Sequence, residues 1–222
     1  MTNIVIIGSG GLAAELTLCF ENTSSEHYND LFVNGYIDYE YNIEKYWKRY
    51  KLDKPVLNDI DNYEVTGEEY FVVGIADVDF RKMVIEKITQ RGGRFINLIH
   101  PTAIVDKNRI LGTGNIIGPF CIVGSNVQMG DFNLLLAQST IGHDCIVGNN
   151  NIFASALLCG HVKVKDDNYF GIRSTVIPNI NLGCRNKIQA GMIVDYNVKD
   201  DSVVFHRFKE KIIVIPKEEI ND

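Results

Sequence analysis

The stretch VDKNRI-LGTGNI-IGPFCI-VGSNVQ-MGDFNL-LLAQST-IGHDCI-VGNNNI-F (105–153) decides the fold. An apolar residue opens every group of six: Val105, Leu111, Ile117, Val123, Met129, Leu135, Ile141, Val147 and Phe153. The spacing shortens by one to Leu158, then resumes through Val164, Phe170, Val176, Leu182, Ile188 and Val194. Helices repeat about every 3.6 residues and strands about every 2, so neither produces this pattern. A hexapeptide-repeat parallel β-helix does. Each hexad forms one side of a triangular coil and aims its apolar residue into a shared core. Sixteen hexads at three per coil predict a little over five coils. Glycine follows the apolar residue at 112, 118, 124, 130, 142, 148, 171 and 183, which predicts corners there. The short step before Leu158 predicts one tightened corner.

The first hundred residues follow another rule. NIVIIG (3–8) reads as a buried strand, GSGG and the helical LAAELTLCFEN follow, and YIDY ends a second strand near Asp38. YFVVGIA (70–76) is a third strand, with a helix after it whose apolar face is Phe80, Met83, Val84 and Ile88. RFINLIH (94–100) is a fourth strand, and the Tyr-rich 40–54 segment reads as a loop holding at most a short helix. Strands alternating with helices imply a small parallel, Rossmann-like sheet. The fold expected is thus an α/β N-terminal domain (1–100), then a left-handed parallel β-helix of hexapeptide repeats (101–222). A C-terminal cap with one apolar strand, IIVIP, ends it.

The 222 residues carry a net charge of −6 with a pI of about 5.4. That balance argues against a nucleic-acid binder working by phosphate neutralisation. The basic run HRFKEK is short enough to be a solvated face. Cys19, Cys121, Cys145, Cys159 and Cys184 are odd in number and show neither a C-x-x-C pair nor zinc spacing. They read as reduced, mostly buried thiols of a cytoplasmic protein. NIVIIG is too short to span a bilayer, so no membrane insertion is expected.

Two places carry candidate chemistry. Gly8-Ser9-Gly10-Gly11 lies between a strand and a helix, where backbone N–H groups and the helix dipole can hold phosphate. With Ala13 it fits a relaxed G-x-G-x-x-A pattern, which a tight ligand-free turn would also satisfy. Asp38, at the end of the second strand, is a candidate for a ribose or base contact. Gly74, Asp77 and Arg81 fall at the end of the third strand, on the edge where open α/β sheets bind ligands. For Arg81 a solvated helix position is an equal alternative.

The second place is STIGHDCIVG (139–148). Most lone histidines are structural, but His143 follows a glycine corner and has Asp144 beside it. An outward imidazole there can take a proton from an amine or hydroxyl, with the carboxylate to orient it. Strand neighbours face opposite ways, so the sequence does not guarantee a His143–Asp144 bond. His161 in CGHV reads as structural or substrate-side, His100 as an interdomain contact, and Cys145 as buried and inert rather than an acyl carrier.

Together IVIIGSGG (4–11), VGIADVDFRK (73–82), NLIHPTAIV (97–105) and IGHDCIVG (141–148) resemble the bacterial hexapeptide-repeat sugar acetyltransferases of bacillosamine, perosamine and sialic-acid type. The resemblance covers nearly the whole chain. It implies an acetyl-CoA-dependent N-acetyltransferase acting on a nucleotide-linked amino sugar for surface-glycan biosynthesis. The sheet domain would hold the sugar nucleotide and not NAD, and the coil would form a homotrimer with acetyl-CoA in the groove between neighbours. It implies His143 as general base, Asp144 as its support, no metal, and no acyl-enzyme. Backbone amides of the coil would stabilise the oxyanion. Gly160, Gly171 and Gly191 would border the pantetheine arm. The chain departs from the pattern in three places. Leu12 stands where a histidine often follows the double glycine. Asn151 or Ile152 stands where a second histidine meets the thioester. The usual G-x-P-A-K ending is absent, with Lys209 near the basic residue of that ending. Sialic-acid-type O-acetylation, a non-catalytic trimeric nucleotide-binding scaffold and an NAD-dependent oxidoreductase are the alternatives; the last would need a substrate domain with its own acid–base pair.

Overall fold

The computed structural model describes residues 2–21, 31–50, 52, 54–106 and 109–206. The first part is a five-stranded parallel sheet: β1 (Thr2–Ile7), β2 (Leu31–Asp38), β3 (Val56–Asp59), β4 (Glu69–Val73) and β5 (Arg94–Phe95), in spatial order β3-β2-β1-β4-β5. Central β1 is buried from Ile4 to Ile7, as a strand covered on both faces must be. Helices α1 (Gly11–Glu21), α2 (Glu40–Tyr50) and α3 (Val78–Gln90) connect or flank the strands.

Three expectations are corrected here. The Tyr-rich segment forms α2, an eleven-residue helix, and β3 follows it. RFINLIH is not one strand: Arg94–Phe95 pairs with the sheet, while Leu98–Ile99 already pairs with Ile116–Ile117 in the coil. On α3 the buried residues are Arg81, Val84, Ile85 and Ile88, and Met83 faces outward.

The hexads form two-residue strands stacked in three parallel sheets of six, five and seven strands, a left-handed β-helix. The single shortened step is present: Ile152–Phe153 is followed by Leu157–Leu158, five residues on. IIVIP and the tail from 207 onward lie outside the described residues; the last described coil strand is Val203–Val204.

The corners differ from the expectation in an instructive way. None of the eight glycines named above has a positive φ. The left-handed residue comes two positions later: Phe120, Asn126, Phe132, Gln138, Asp144 and Asn150, then His161, Asp167, Arg173, Asn179 and Arg185; at the shortened corner it is Ser155, one position later. The glycines are needed for close approach between coils. A Cβ at Gly118 would lie 2.9 Å from Leu135 O, and one at Gly142 2.8 Å from the carbonyl carbon of Cys159. After each left-handed residue comes a second buried side chain. At one corner it is asparagine in five successive coils, Asn115, Asn133, Asn151, Asn168 and Asn186, before Ser202 takes the place. Each Oδ1 accepts the next coil's backbone N–H: Asn133 N to Asn115 is 2.8 Å, Asn151 N to Asn133 is 3.0 Å, and Asn168 N to Asn151 is 2.9 Å. A buried polar row is stable when its members are paired, and Nδ2 of Asn133, Asn151 and Asn168 each donates to the asparagine one coil earlier, while Asn186 Nδ2 at the end of the row has no such partner among the described residues.

The sheet packs on the outside of the seven-stranded side of the coil. Outward Leu98, Ile116, Leu134 and Ile152 share an apolar cluster with Ile4, Ile6, Leu16 and Tyr36. At one end of that seam sits Arg81, fully buried. Its guanidinium donates to the carbonyls of Val73 (3.0 Å), Ile75 (2.7 Å) and Phe132 (2.9 Å), and Asn150 Nδ2 donates to Val78 O (3.1 Å). Burial pushes Arg81 down to about 10, which leaves it cationic at neutral pH. Arg81→Met keeps the length and strands those carbonyls. We expect a loss of about 3 kcal/mol, or about 6–12 °C in Tm for a chain of this size. A calorimetric Tm within about 2 °C of wild type would contradict the clamp.

Candidate active site

The carboxyl edge of the sheet opens into a cleft of about 610 Å³. It is lined by Gly8, Gly10, Gly11, Asp38, Gly74 and Asp77, six of the eight residues that the sequence proposes there. The seventh, Ser9, is buried behind the loop, and its N–H and Oγ both donate to Asp38 Oδ2, at 2.8 and 2.7 Å. Asp38 Oδ1 accepts from Tyr39 N (2.8 Å) and Asn42 Nδ2 (3.0 Å). Asp38 therefore pins the glycine loop to the end of β2. The eighth, Arg81, is the buried clamp and does not line the cleft, which corrects both readings of it. Asp77 caps α3, accepting from Phe80 N at 2.8 Å.

The glycines divide by task. Gly8 has φ +110, and a Cβ there would lie 2.8 Å from Gly74 O. A Cβ at Gly10 would meet nothing within 4 Å, so its bare face is open to the cleft. Helix α1 begins beside it with no acidic residue in its first turn, so its positive end is uncompensated. The opposite wall was missed by the sequence reading: Tyr41, Asn42, Tyr46 and Tyr50 come from α2, and Phe80 from α3. The signal was present in Tyr46 and Tyr50, four apart and so on one helical face, with Tyr41 at the start of the same helix.

His143 and Asp144 lie at a different place, on the corner between the six- and five-stranded sides. Their direct bond exists: His143 Nδ1 to Asp144 Oδ2 is 2.7 Å. Strand alternation fails here because Asp144 is the left-handed corner residue, φ 57. Asn126, one coil earlier, donates to Asp144 Oδ1 at 3.2 Å. The bonds from His143 and then Asn126 hold the Asp144 carboxyl below its ordinary range. With Asp144 on Nδ1, the imidazole can keep Nδ1–H and present Nε2 as a base. The ring lies against Gly160, where a Cβ would fall 2.5 Å from Cε1. His161, one coil later, crosses the His143 ring edge-on, centroids 5.1 Å apart. Cys145 is buried, and burial pushes its thiol up to about 11, far from a nucleophilic thiolate.

The residues proposed for the cofactor fare unevenly. Gly160 adjoins the dyad and Gly191 is an exposed corner with φ +72. Gly171 is buried against Ala190 N of the next coil. Asn151 is a rung of the asparagine row and Ile152 is buried under the sheet, so neither is free to meet a thioester. Lys209 lies outside the described residues.

No protein-family model matches this chain, and no curated protein sequence matches it. Solved structures do. PerB from Caulobacter crescentus, in complex with CoA and GDP-perosamine, superposes with a TM-score of 0.78 at 23% identity, over 91% of this chain and 93% of that one. WeeI from Acinetobacter baumannii AYE gives 0.75 at 20% identity, over 92% and 97%. The acetyltransferase domain of PglB from Neisseria gonorrhoeae FA1090, with acetyl coenzyme A, gives 0.72 at 18% identity, over 90% and 94%. The chain shares their fold. The sheet, the β-helix and their order along the sequence are common to all.

Proposed function

We propose that the chain is an acetyl-CoA-dependent N-acetyltransferase acting on a nucleotide-linked amino sugar. The observation that carries this reading is the His143–Asp144 dyad, exposed at a coil corner with its Nε2 free of the Asp144 bond. In the reaction, the sugar amine attacks the thioester carbonyl carbon. The C–N bond forms, Nε2 takes the amine proton, the C–S bond breaks, and the thiolate of CoA leaves to be reprotonated. Asp144 stabilises the imidazolium while it exists. The three similar structures, two with CoA or acetyl-CoA bound and one also with GDP-perosamine, support the substrate classes.

The nucleotide is assigned to the cleft, with its phosphates at Gly10 and the start of α1 and its base against the α2 tyrosines. Asp38 argues against a nicotinamide reading, because its carboxylate already accepts four donors from the protein. Gly10→Val should raise KM for the sugar nucleotide and leave KM for acetyl-CoA unchanged, since the new side chain meets only ligand. Asp38→Ala should be at least as damaging, because it releases Ser9 and the loop. Steady-state kinetics with each substrate varied, on variants of wild-type Tm, measure both.

Cleft and dyad are on opposite sides of one chain. The sheet covers the seven-stranded side, and His143 is on the corner that does not border that side. A complete site therefore takes the sugar from one protomer and the base from another. The six-stranded side next to His143 supplies a face for that contact. Its outward row is Ile104, Ile122, Thr140, Leu157, Thr175 and Ile193, with Ile104 68% and Ile193 64% exposed. We infer a homotrimer with acetyl-CoA in the groove between coils. Among the described residues no helix is long and apolar enough to cross a membrane. The five cysteines are not joined in disulfides, and we place the enzyme in the reducing cytoplasm.

The direct test is acetyl transfer from acetyl-CoA to a panel of UDP-, dTDP- and GDP-linked amino sugars, with hydroxy analogues beside them. Amide product from one amino sugar supports the reading. Ester product from the hydroxy analogue alone would make it an O-acetyltransferase, and no transfer to any of them would end it.

A further inference from the structure

His161 has no part in the transfer described above, yet it sits on Asp144. His161 Nε2 lies 3.9 Å from Asp144 Oδ2, the same oxygen that bonds His143 Nδ1 at 2.7 Å. One ligand atom from each of the three residues falls within 4.8 Å of the others. All three side chains reach solvent, at 60%, 37% and 56% exposure for His143, Asp144 and His161. The spacing in sequence hides this, because the histidines are one coil apart and meet only when the coil closes: His161 N donates to His143 O at 3.0 Å.

We propose that His143, Asp144 and His161 form a binding site for a zinc-like divalent transition metal that switches the base off. Two imidazoles and one carboxylate are a donor set for such ions, with a fourth position left to water. Metal–ligand bonds of about 2.0–2.2 Å in a tetrahedron put ligand atoms about 3.4 Å apart. The 2.7 and 3.9 Å separations from Asp144 bracket that value and the third pair lies within 4.8 Å, so seating an ion asks for shifts of about an ångström from exposed side chains. Backbone geometry already fixes the residues: Asp144 and His161 are both left-handed corner positions, φ 57 and 62.

The consequence for the base is the same whichever His143 nitrogen is used. An ion on Nε2 occupies the lone pair that would take the amine proton. An ion on Nδ1 leaves the ring proton on Nε2, which then donates and cannot accept. The bound ion also takes Asp144 away from its bond to the imidazole. Metal binding stands on the residues themselves; only the switching rests on the acetyltransferase reading.

The test separates the two. Zinc is titrated into the purified, assembled protein against a chromophoric chelator, with magnesium in parallel. The expected result is one zinc per chain, and an affinity weaker by about tenfold or more in His161→Asn and in Asp144→Asn, since losing a ligand costs at least what losing a supporting residue does. Magnesium, which prefers oxygen ligands, should not compete at the same concentration. Both variants keep folds that a melt can verify, because His161 is exposed and asparagine tolerates the left-handed conformation. In the transfer assay, zinc should inhibit wild type in step with occupancy, EDTA should restore it, and the residual activity of His161→Asn should resist zinc. Equal zinc affinity in wild type and both variants, or no zinc bound by wild type at micromolar concentration, overturns the site. Zinc bound as expected with full transfer activity overturns the switch. Failure to find any transfer leaves the binding result standing and removes the acetyltransferase reading instead.

Discussion

His143→Ala is expected to lower turnover about 10²–10⁴-fold, the range for loss of a general base. Acetyl-CoA binding, measured by calorimetry, should change little, because in the proposed reaction the imidazole acts on the amine and not on the carrier. The fold should survive, since His143 is an exposed corner side chain whose only side-chain hydrogen bond among the described residues is to its neighbour Asp144. Asp144→Asn should fall in the same direction by less. It keeps a hydrogen-bonding group beside Nδ1 but gives up the charge that supports the imidazolium. Turnover of His143→Ala within tenfold of wild type would mean that another group, or the substrate itself, disposes of the proton.

A second large effect follows from the opposed positions of cleft and dyad. Assayed at sugar-nucleotide concentrations far below the raised KM of Gly10→Val, His143→Ala and Gly10→Val chains should each be nearly inactive alone. Co-expressed or denatured together and refolded, they should regain activity. In a random one-to-one trimer about a quarter of the sites pair an intact glycine loop from one chain with an intact histidine from another. Recovery from near background to about a quarter of wild-type turnover per site is the expected outcome. Absence of any recovery, with mixed trimers verified by mass, would place sugar and base on the same chain and refute the shared site.

The coil was legible because its core residues are apolar and strictly spaced. The count saw only one of the two buried positions per hexad. Asn115, Asn133 and Asn151 are polar, so an apolar tally passes over them, although their 18-residue recurrence is readable by eye. The corners were placed two residues early for a related reason. Glycine reads as a turn former, but at these positions it lets adjacent coils touch, and asparagine, aspartate and even phenylalanine adopt the turn itself. Helix α2 was missed because its cleft-facing residues are tyrosines among charges, a pattern with little aliphatic signal. Arg81 could not be assigned from sequence at all. Its burial depends on Phe132, fifty-one positions away, which arrives only when the sheet docks on the coil. The glycine loop and the dyad were legible because each is local in the chain. The contact of His161 with Asp144 was not, because it crosses a full coil.

The seam between sheet and coil also defines a module boundary. Its coil side is a short ladder of outward aliphatics, Leu98, Ile116, Leu134 and Ile152, closed at one end by the Arg81 contact to Phe132. A chimera that exchanges only the first ninety-odd residues keeps this ladder in the coil, so the incoming domain must bring an apolar underside and an arginine at the start of its third helix. Domains meeting those two conditions should be interchangeable on one coil, which would let the cleft at the edge of the sheet diversify while the corner dyad stays the same.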